Sequence, residues 1–233
     1  MMISRKLTWE NKGLSEEAVM KQKIVITIAR QYGSGGRTVG EMLANELGIH
    51  YYNNELVVLA SEKSGISEEL FRKVDERIAK RATGIFGKVK DIYNGGLISP
   101  EDENFVSDKN LFNYQADVIK EIADRESCVI IGRAADFVLK DRDDVVSVFV
   151  HAPLDFLMEQ AGKKQPFTGK ELEKYIEKTD LQKAAYYNYY TGQIWSDARN
   201  YDLCLNSGKL GFEKCVEEIK AYMKVRFGED CLD

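Results

Sequence analysis

The sequence predicts an α/β fold, a parallel sheet flanked by helices on both faces, and three observations carry that expectation. Short β-branched runs such as Lys23-Ile-Val-Ile-Thr-Ile-Ala29 are too apolar to face water on either side. Through the second half they alternate with segments whose apolar residues recur at helical spacing. Glycines stand at the ends of the first two runs, at Gly33, Gly35 and Gly36 and again at Gly132.

Taken in order, the first run passes directly into Gly33, Ser34, Gly35 and Gly36. Val39, Met42, Leu43, Ala44 and Leu47 then keep helical spacing over 37–47, and Gly48 supplies a C-terminal stop. Helices are expected over 55–63 and 67–81, the second with Ser67 near its N-cap. The stretch 83–107 is punctuated by Gly84, Gly87, Gly95, Gly96 and Pro100 and reads as a loop or mobile insert. A helix over 109–125 leads to strands at 127–131, 144–150 and 201–205. Helices over 154–161 and 170–191 separate the last two strands, and a helix over 212–227 closes the chain. The expected organisation is a lead-in over 1–22 and one domain over 23–233.

With 233 residues, 44% hydrophobic, 30% charged and 3 Pro, the composition excludes disorder, collagen and a disulfide mini-protein. A formal charge of -5 argues against coating nucleic acid or an anionic membrane through the net field, but leaves room for a local basic pocket. Cys128, Cys204, Cys215 and Cys231 form no C-x-x-C pair, so a structural zinc is not expected, and Cys128 and Cys204 read as small buried hydrophobes. The expectation is a reducing cytoplasmic setting without membrane or nucleic-acid partners; no run reaches the roughly 18 apolar residues of a span, and 1–23 mixes charges instead of forming a signal-peptide core.

In open parallel sheets ligands bind beyond the carboxyl ends of the strands. Gly33 to Thr38, Gly132-Arg133 and Asn206-Ser207-Gly208 are expected to converge there. A glycine turn opening a helix offers unpaired N–H groups and the positive end of the helix dipole, a phosphate site. Against the phosphate-loop pattern G-x-x-x-x-G-K-[ST], Gln31 stands for the first glycine and Arg37 for the lysine. On spacing alone a plain tight turn is the rival reading.

The wider stretch Ile26-Thr-Ile-Ala-Arg-Gln-Tyr-Gly-Ser-Gly-Gly-Arg-Thr-Val-Gly40 resembles the opening of the cytidylate kinase-like family, a branch of the P-loop nucleoside monophosphate kinases. The resemblance continues through Gly48-Ile-His-Tyr-Tyr-Asn-Asn-Glu-Leu56, Cys128-Val-Ile-Ile-Gly-Arg133, Phe149-Val-His-Ala-Pro153 and the stretch from Lys178 to Gly192, and it ends at Asn200-Tyr-Asp-Leu-Cys-Leu-Asn206. It implies a P-loop NTPase-type sheet with a helical acceptor and lid insertion, the lid at about 162–170. It implies ATP with Mg2+ as the phosphoryl donor, and a small nucleotide acceptor such as CMP.

The resemblance also assigns roles. Gly33, Ser34, Gly35, Gly36, Arg37 and Thr38 would hold the donor phosphates, with Thr38 as the magnesium hydroxyl. Arg133 would grip the acceptor monophosphate, an ordinary surface ion pair being its rival reading. Ser207 and Gly208 would lie in the adenine-flanking loop, where a plain connecting turn is as good a reading. Relatives usually read F-Y-D where this chain has Tyr52-Asn53, so acceptor recognition there lacks a carboxylate. The lid helix ordinarily carries arginines, yet Leu154-Asp-Phe-Leu-Met-Glu-Gln-Ala161 has none. Lys163, Lys164 and Lys183 are the nearest cations, and a missing arginine finger is worth about 10³ to 10⁵ in rate.

A nucleotide-binding sensor or assembly switch without kinase activity is therefore the second reading, and a kinase for another small acceptor the third. The tyrosines of Tyr186-Tyr-Asn-Tyr-Tyr190 are expected to pack against the sheet or a partner subunit, possible in a homodimer, with nucleotide stacking as the alternative.

Overall fold

The computed structural model describes residues 22–81, 93 and 95–232. Residues 1–21 of the expected lead-in and 83–92 and 94 of the expected insert lie outside them. Five strands form one parallel sheet: β1 Val25–Arg30, β2 His50–Tyr52, β3 Cys128–Ile131, β4 Val145–His151 and β5 Leu203–Asn206, in the order β2-β3-β1-β4-β5. The helices are α1 Gly36–Leu47, α2 Glu55–Ser64, α3 Glu68–Arg81, α4 Asp108–Arg125, α5 Ala135–Val138, α6 Leu154–Gly162, α7 Gly169–Thr191, α8 Ser207–Leu210 and α9 Phe212–Phe227.

Alternation of side chains builds two cores from the same strands. Ile24, Ile26 and Ile28 face α1 and α9 together with Val129, Ile131, Val146, Val148 and Val150. Val25 and Ala29 face the other layer with Cys128, Ile130, Val145 and Phe149, where α2, α3, α4 and α7 pack. β1 lies between β3 and β4, in register Val25 to Cys128 on one side and Val25 to Val145 on the other. Its carboxyl end is therefore where the chain's crossovers divide, the position at which α/β sheets open a crevice. A third, small core of Leu157, Ala161, Leu172 and Ile176 joins α6 to α7, so the α6–α7 hairpin carries its own packing.

Some expectations are corrected. β2 is a strand that the sequence pattern did not single out, because its three residues are too few to display alternation. Residues 207–210 form the single-turn helix α8 instead of a loop. Cys204 is exposed, unlike the buried Cys128, since it lies on edge strand β5. The described part of the insert, 95–107, has turns and no helix or strand, yet it is tethered. Asn110 accepts from the Ile98 amide at 2.8 Å and donates to the Phe105 carbonyl at 2.8 Å. No helix among the described residues is long and apolar enough to cross a membrane.

Candidate active site

The glycine turn joins β1 to α1. Gly33 has φ 85°, and a Cβ there would stand 2.6 Å from the Leu157 carbonyl oxygen, so only glycine lets the turn lie against α6. Gly35, also left-handed, is the N-cap of α1 and brings no side-chain hydrogen bond, and no acidic residue occupies the first turn. The dipole and free amides at this helix start therefore meet no compensating group of the helix's own, which leaves them to an anion. Gln31 braces the turn: its carbonyl accepts from the Ser34 hydroxyl at 2.9 Å and its side-chain oxygen from the Ala152 amide at 3.2 Å. Ser207 braces it from below, donating to the Ser34 carbonyl at 2.6 Å, with the His151 carbonyl at 3.2 Å.

Beside the turn lies a cavity of about 610 Å³. Arg30, Arg133, Lys178 and Lys183 line it with Asp75 and Glu76, and Tyr186, Tyr187 and Trp195 form an aromatic wall. Arg133 enters through strain. After Gly132 at φ 69°, Arg133 and Ala134 hold φ 59° and 52°, left-handed values that cost non-glycine residues about 1 to 2 kcal/mol each. Its guanidinium meets Asp75 at 2.5 Å and lies 5.6 Å from the Tyr186 ring centre. Burial works to lower its pKa, but Tyr186 and Asp75 hold it above the ordinary arginine value.

Lys183 donates to Asp180 at 2.9 Å, and its Nζ lies 3.3 Å from the Arg30 carbonyl. Burial, with Arg30 adding to it against the attraction of Asp180, brings the Lys183 pKa down to about 8. Asp180 also accepts from the Tyr32 amide at 2.7 Å, tying α7 to the glycine turn. The segment between α6 and α7 joins this arrangement through Gln165, which donates to the Tyr32 hydroxyl at 2.7 Å.

The structure thus gathers Gly33, Ser34, Gly35, Gly36, Arg133 and Lys183 around one crevice. Arg37 and Thr38 follow on the first turn of α1, Thr38 half-buried and Arg37 exposed. Arg37 turns toward β2: with the Asn53 amide oriented to satisfy its neighbours, its oxygen accepts from the Arg37 Nε at 3.2 Å and Nη2 at 2.7 Å. Asn53 therefore reaches the site only through Arg37. Tyr52 does not reach it, because its hydroxyl donates to Glu126 at 2.8 Å and receives from Arg125 at 3.2 Å. Ser207 is buried with its hydroxyl spent on backbone carbonyls, while Gly208 beside it is exposed. The tyrosines largely pack: Tyr190 stacks on Phe112 at 4.0 Å, and only Tyr186 and Tyr187 border the cavity. Arg30, Asp75, Asp180 and Trp195 were not singled out in the sequence; the one signal for Arg30 is its position immediately ahead of the turn.

The family model for the cytidylate kinase-like family matches residues 25–209, from the first residue of β1 into α8. The chain belongs to that family. It is 25% identical over 203 residues to a cytidylate kinase of Pyrococcus horikoshii, covering 86% of this chain and 88% of that protein. It is 28% identical over 102 residues to a shikimate kinase of Haemophilus influenzae, covering 41% of this chain and 57% of that one. An uncharacterized protein from Eubacterium ventriosum shares the fold, with TM-score 0.63 and 24% identity over 88% of this chain and all of that one. Membership of the cytidylate kinase-like family supports kinase-type phosphoryl transfer and nucleotide use as the chemistry class.

Proposed function

We propose that this protein transfers the γ-phosphoryl group of ATP to a small acceptor in the crevice beyond β1 and β3, CMP being the acceptor its family points to. The observation that carries the reading is the uncompensated start of α1 beside a cavity lined by Arg30, Arg133, Lys178 and Lys183. Phosphates of donor and acceptor together supply the negative charge such a place selects.

In this reading the amides from Gly33 to Thr38 hold the donor phosphates and the Thr38 hydroxyl meets magnesium. Among the described residues no cluster of three His, Cys, Asp or Glu side chains is built to hold a metal. That arrangement fits an ion carried in on ATP, which keeps its waters and needs few protein ligands. When bound, magnesium would neutralise charge across the outer phosphates. Arg133, oriented by Asp75, takes the acceptor phosphate, and exposed Gly208 lies at the adenine edge. The chemistry forms no covalent intermediate, so the protein contributes positioning and electrostatics.

One observation favours a second reading, nucleotide binding without transfer. α6 brings no arginine to the lid, and its Lys163 is held by Glu159 at 2.8 Å. A steady-state assay with ATP-Mg and a panel of CMP, dCMP, UMP and shikimate separates the two. Turnover of CMP above the others is expected; ATP binding with no turnover of any acceptor would favour the second reading.

A further inference from the structure

We propose that Arg30, the last residue of β1, is the cation that holds the outermost phosphate of the donor, the part a lysine plays in the standard phosphate loop, and that Arg37 does not. This rests on the kinase reading above and names a residue of that same site. The standard pattern sends a lysine from the start of the helix to the outer phosphates. Here the first residue of α1 is Gly36, which has no side chain, and Arg37 after it is engaged by Asn53 across the top of β2.

Arg30 fills the place left open. A Cβ on Gly36 would stand 2.5 Å from the Arg30 Cβ and 3.0 Å from its Cγ, so the Arg30 stem lies directly under the start of the helix. At the far end, Nη1 lies so close to Gly132 that a Cβ there would collide with it. Two glycines, one opening α1 and one just past the end of β3, thus make room for one arginine, whose side chain runs from the glycine turn into the cavity. Among the described residues no hydrogen bond or ion pair engages its guanidinium. Its charged neighbours are Arg37, Arg133, Lys183 and, more weakly, Asp180, with Tyr51 beside it.

Burial first, then the like charges of Arg37 and Arg133, bring its pKa down to about 10, which leaves it cationic at neutral pH. A half-buried arginine without an anion, facing other cations, is what a phosphate subsite requires. The position also explains how charge reaches the transferring group when α6 carries no arginine. It comes from the floor of the crevice instead of the lid.

The test is equilibrium binding of ATP, ADP and AMP to the full chain and to Arg30→Met, Arg30→Lys and Arg37→Met, with thermal melting of each. The wild type is expected to bind ATP more tightly than ADP. Arg30→Met should lose at least tenfold in ATP affinity and keep ADP and AMP within about twofold, a pattern that general loosening of the fold does not produce. Arg37→Met should keep ATP affinity within about twofold. Arg30→Lys should bind ATP near wild type at pH 7 and fall progressively behind it toward pH 9, because a lysine buried there loses its proton at a lower pH than the arginine does.

That last comparison decides the matter if Arg30→Met fails to fold. Full ATP affinity in Arg30→Met, a tenfold loss confined to Arg37→Met, or an Arg30→Lys profile parallel to the wild type would overturn the role of Arg30 while leaving the kinase reading standing. A wild type that binds no ATP would overturn both.

Discussion

Ala134 is held at φ 52° beside Arg133 at 59°, and neither residue has glycine's freedom there. Ala134→Gly relieves the strain at one of them and should stabilise the fold by about 0.5 to 1 kcal/mol in urea unfolding. Arg133→Gly would relieve the other and remove the ion pair with Asp75. Lys183 titrates within the working range. With its pKa lowered to about 8, it is charged at pH 7 and loses that charge by pH 9, so affinity for ATP or inorganic triphosphate should fall across that interval. Lys183→Arg should flatten the fall, and a binding curve indifferent to the substitution would show that Lys183 does not face the phosphates.

Asp136 carries a different pH signature. It is buried, accepts from the Tyr187 hydroxyl at 2.6 Å, and burial pushes its carboxyl up to about 6. Its folded pKa lies above the unfolded value near 4, so the native state binds the proton more tightly and the group costs stability increasingly as pH rises from about 4, the cost being complete above about 6. The cost, on the order of 3 kcal/mol at pH 7, is recovered as pH falls toward 4. Relative to Asp136→Asn, the wild type should therefore gain stability between pH 7 and pH 4.5 in denaturant titrations. A constant difference between the two across that range would contradict the assignment.

At the scale of elements, α6 explains why the lid lacks arginines at one of its positions. Leu157 is buried in the small lid core, and its carbonyl lies against Gly33. An arginine there would bury an unpaired charge, so Leu157→Arg should destabilise by about 3 kcal/mol or more and weaken ATP binding through the turn. Gln160 lies on the partly exposed side, and Gln160→Arg should fold normally by thermal melting.

The elements also show what could be read before the structure. β1, β3, β4 and the long helices were legible because they repeat one pattern over enough residues. β2 and α8 were not, being three and four residues long. Tyr52 is expected at the site because Tyr52-Asn53 stands where the resemblance places F-Y-D, yet its hydroxyl is captured by Glu126, 74 positions away. Arg30 was passed over because a charged residue closing an apolar strand looks like its solvent end. Only the close approach of Gly36 and Gly132 reveals where that side chain goes.

At the scale of the molecule, the sheet order sets the function. With β1 central between β3 and β4, the turn after it, the strained loop after β3 and the start of α8 after β5 all open on one edge of the sheet. The glycine turn and the basic cavity are then neighbours, joined by Arg30, while Asp180 and Gln165 link α7 and the segment before it to the turn through Tyr32. Binding at the loop should therefore alter the acceptor cavity, a coupling of two sites through shared residues. The formal charge of -5 gave no hint of this basic crevice, because net charge does not report where charge collects.

Isothermal titration of the protein with ATP-Mg, alone and then with CMP present, tests this account most directly. The account predicts that both bind and that each tightens the other. Absence of ATP-Mg binding even at millimolar concentration would contradict it, and ATP binding without CMP would leave the donor half standing and remove CMP as the acceptor.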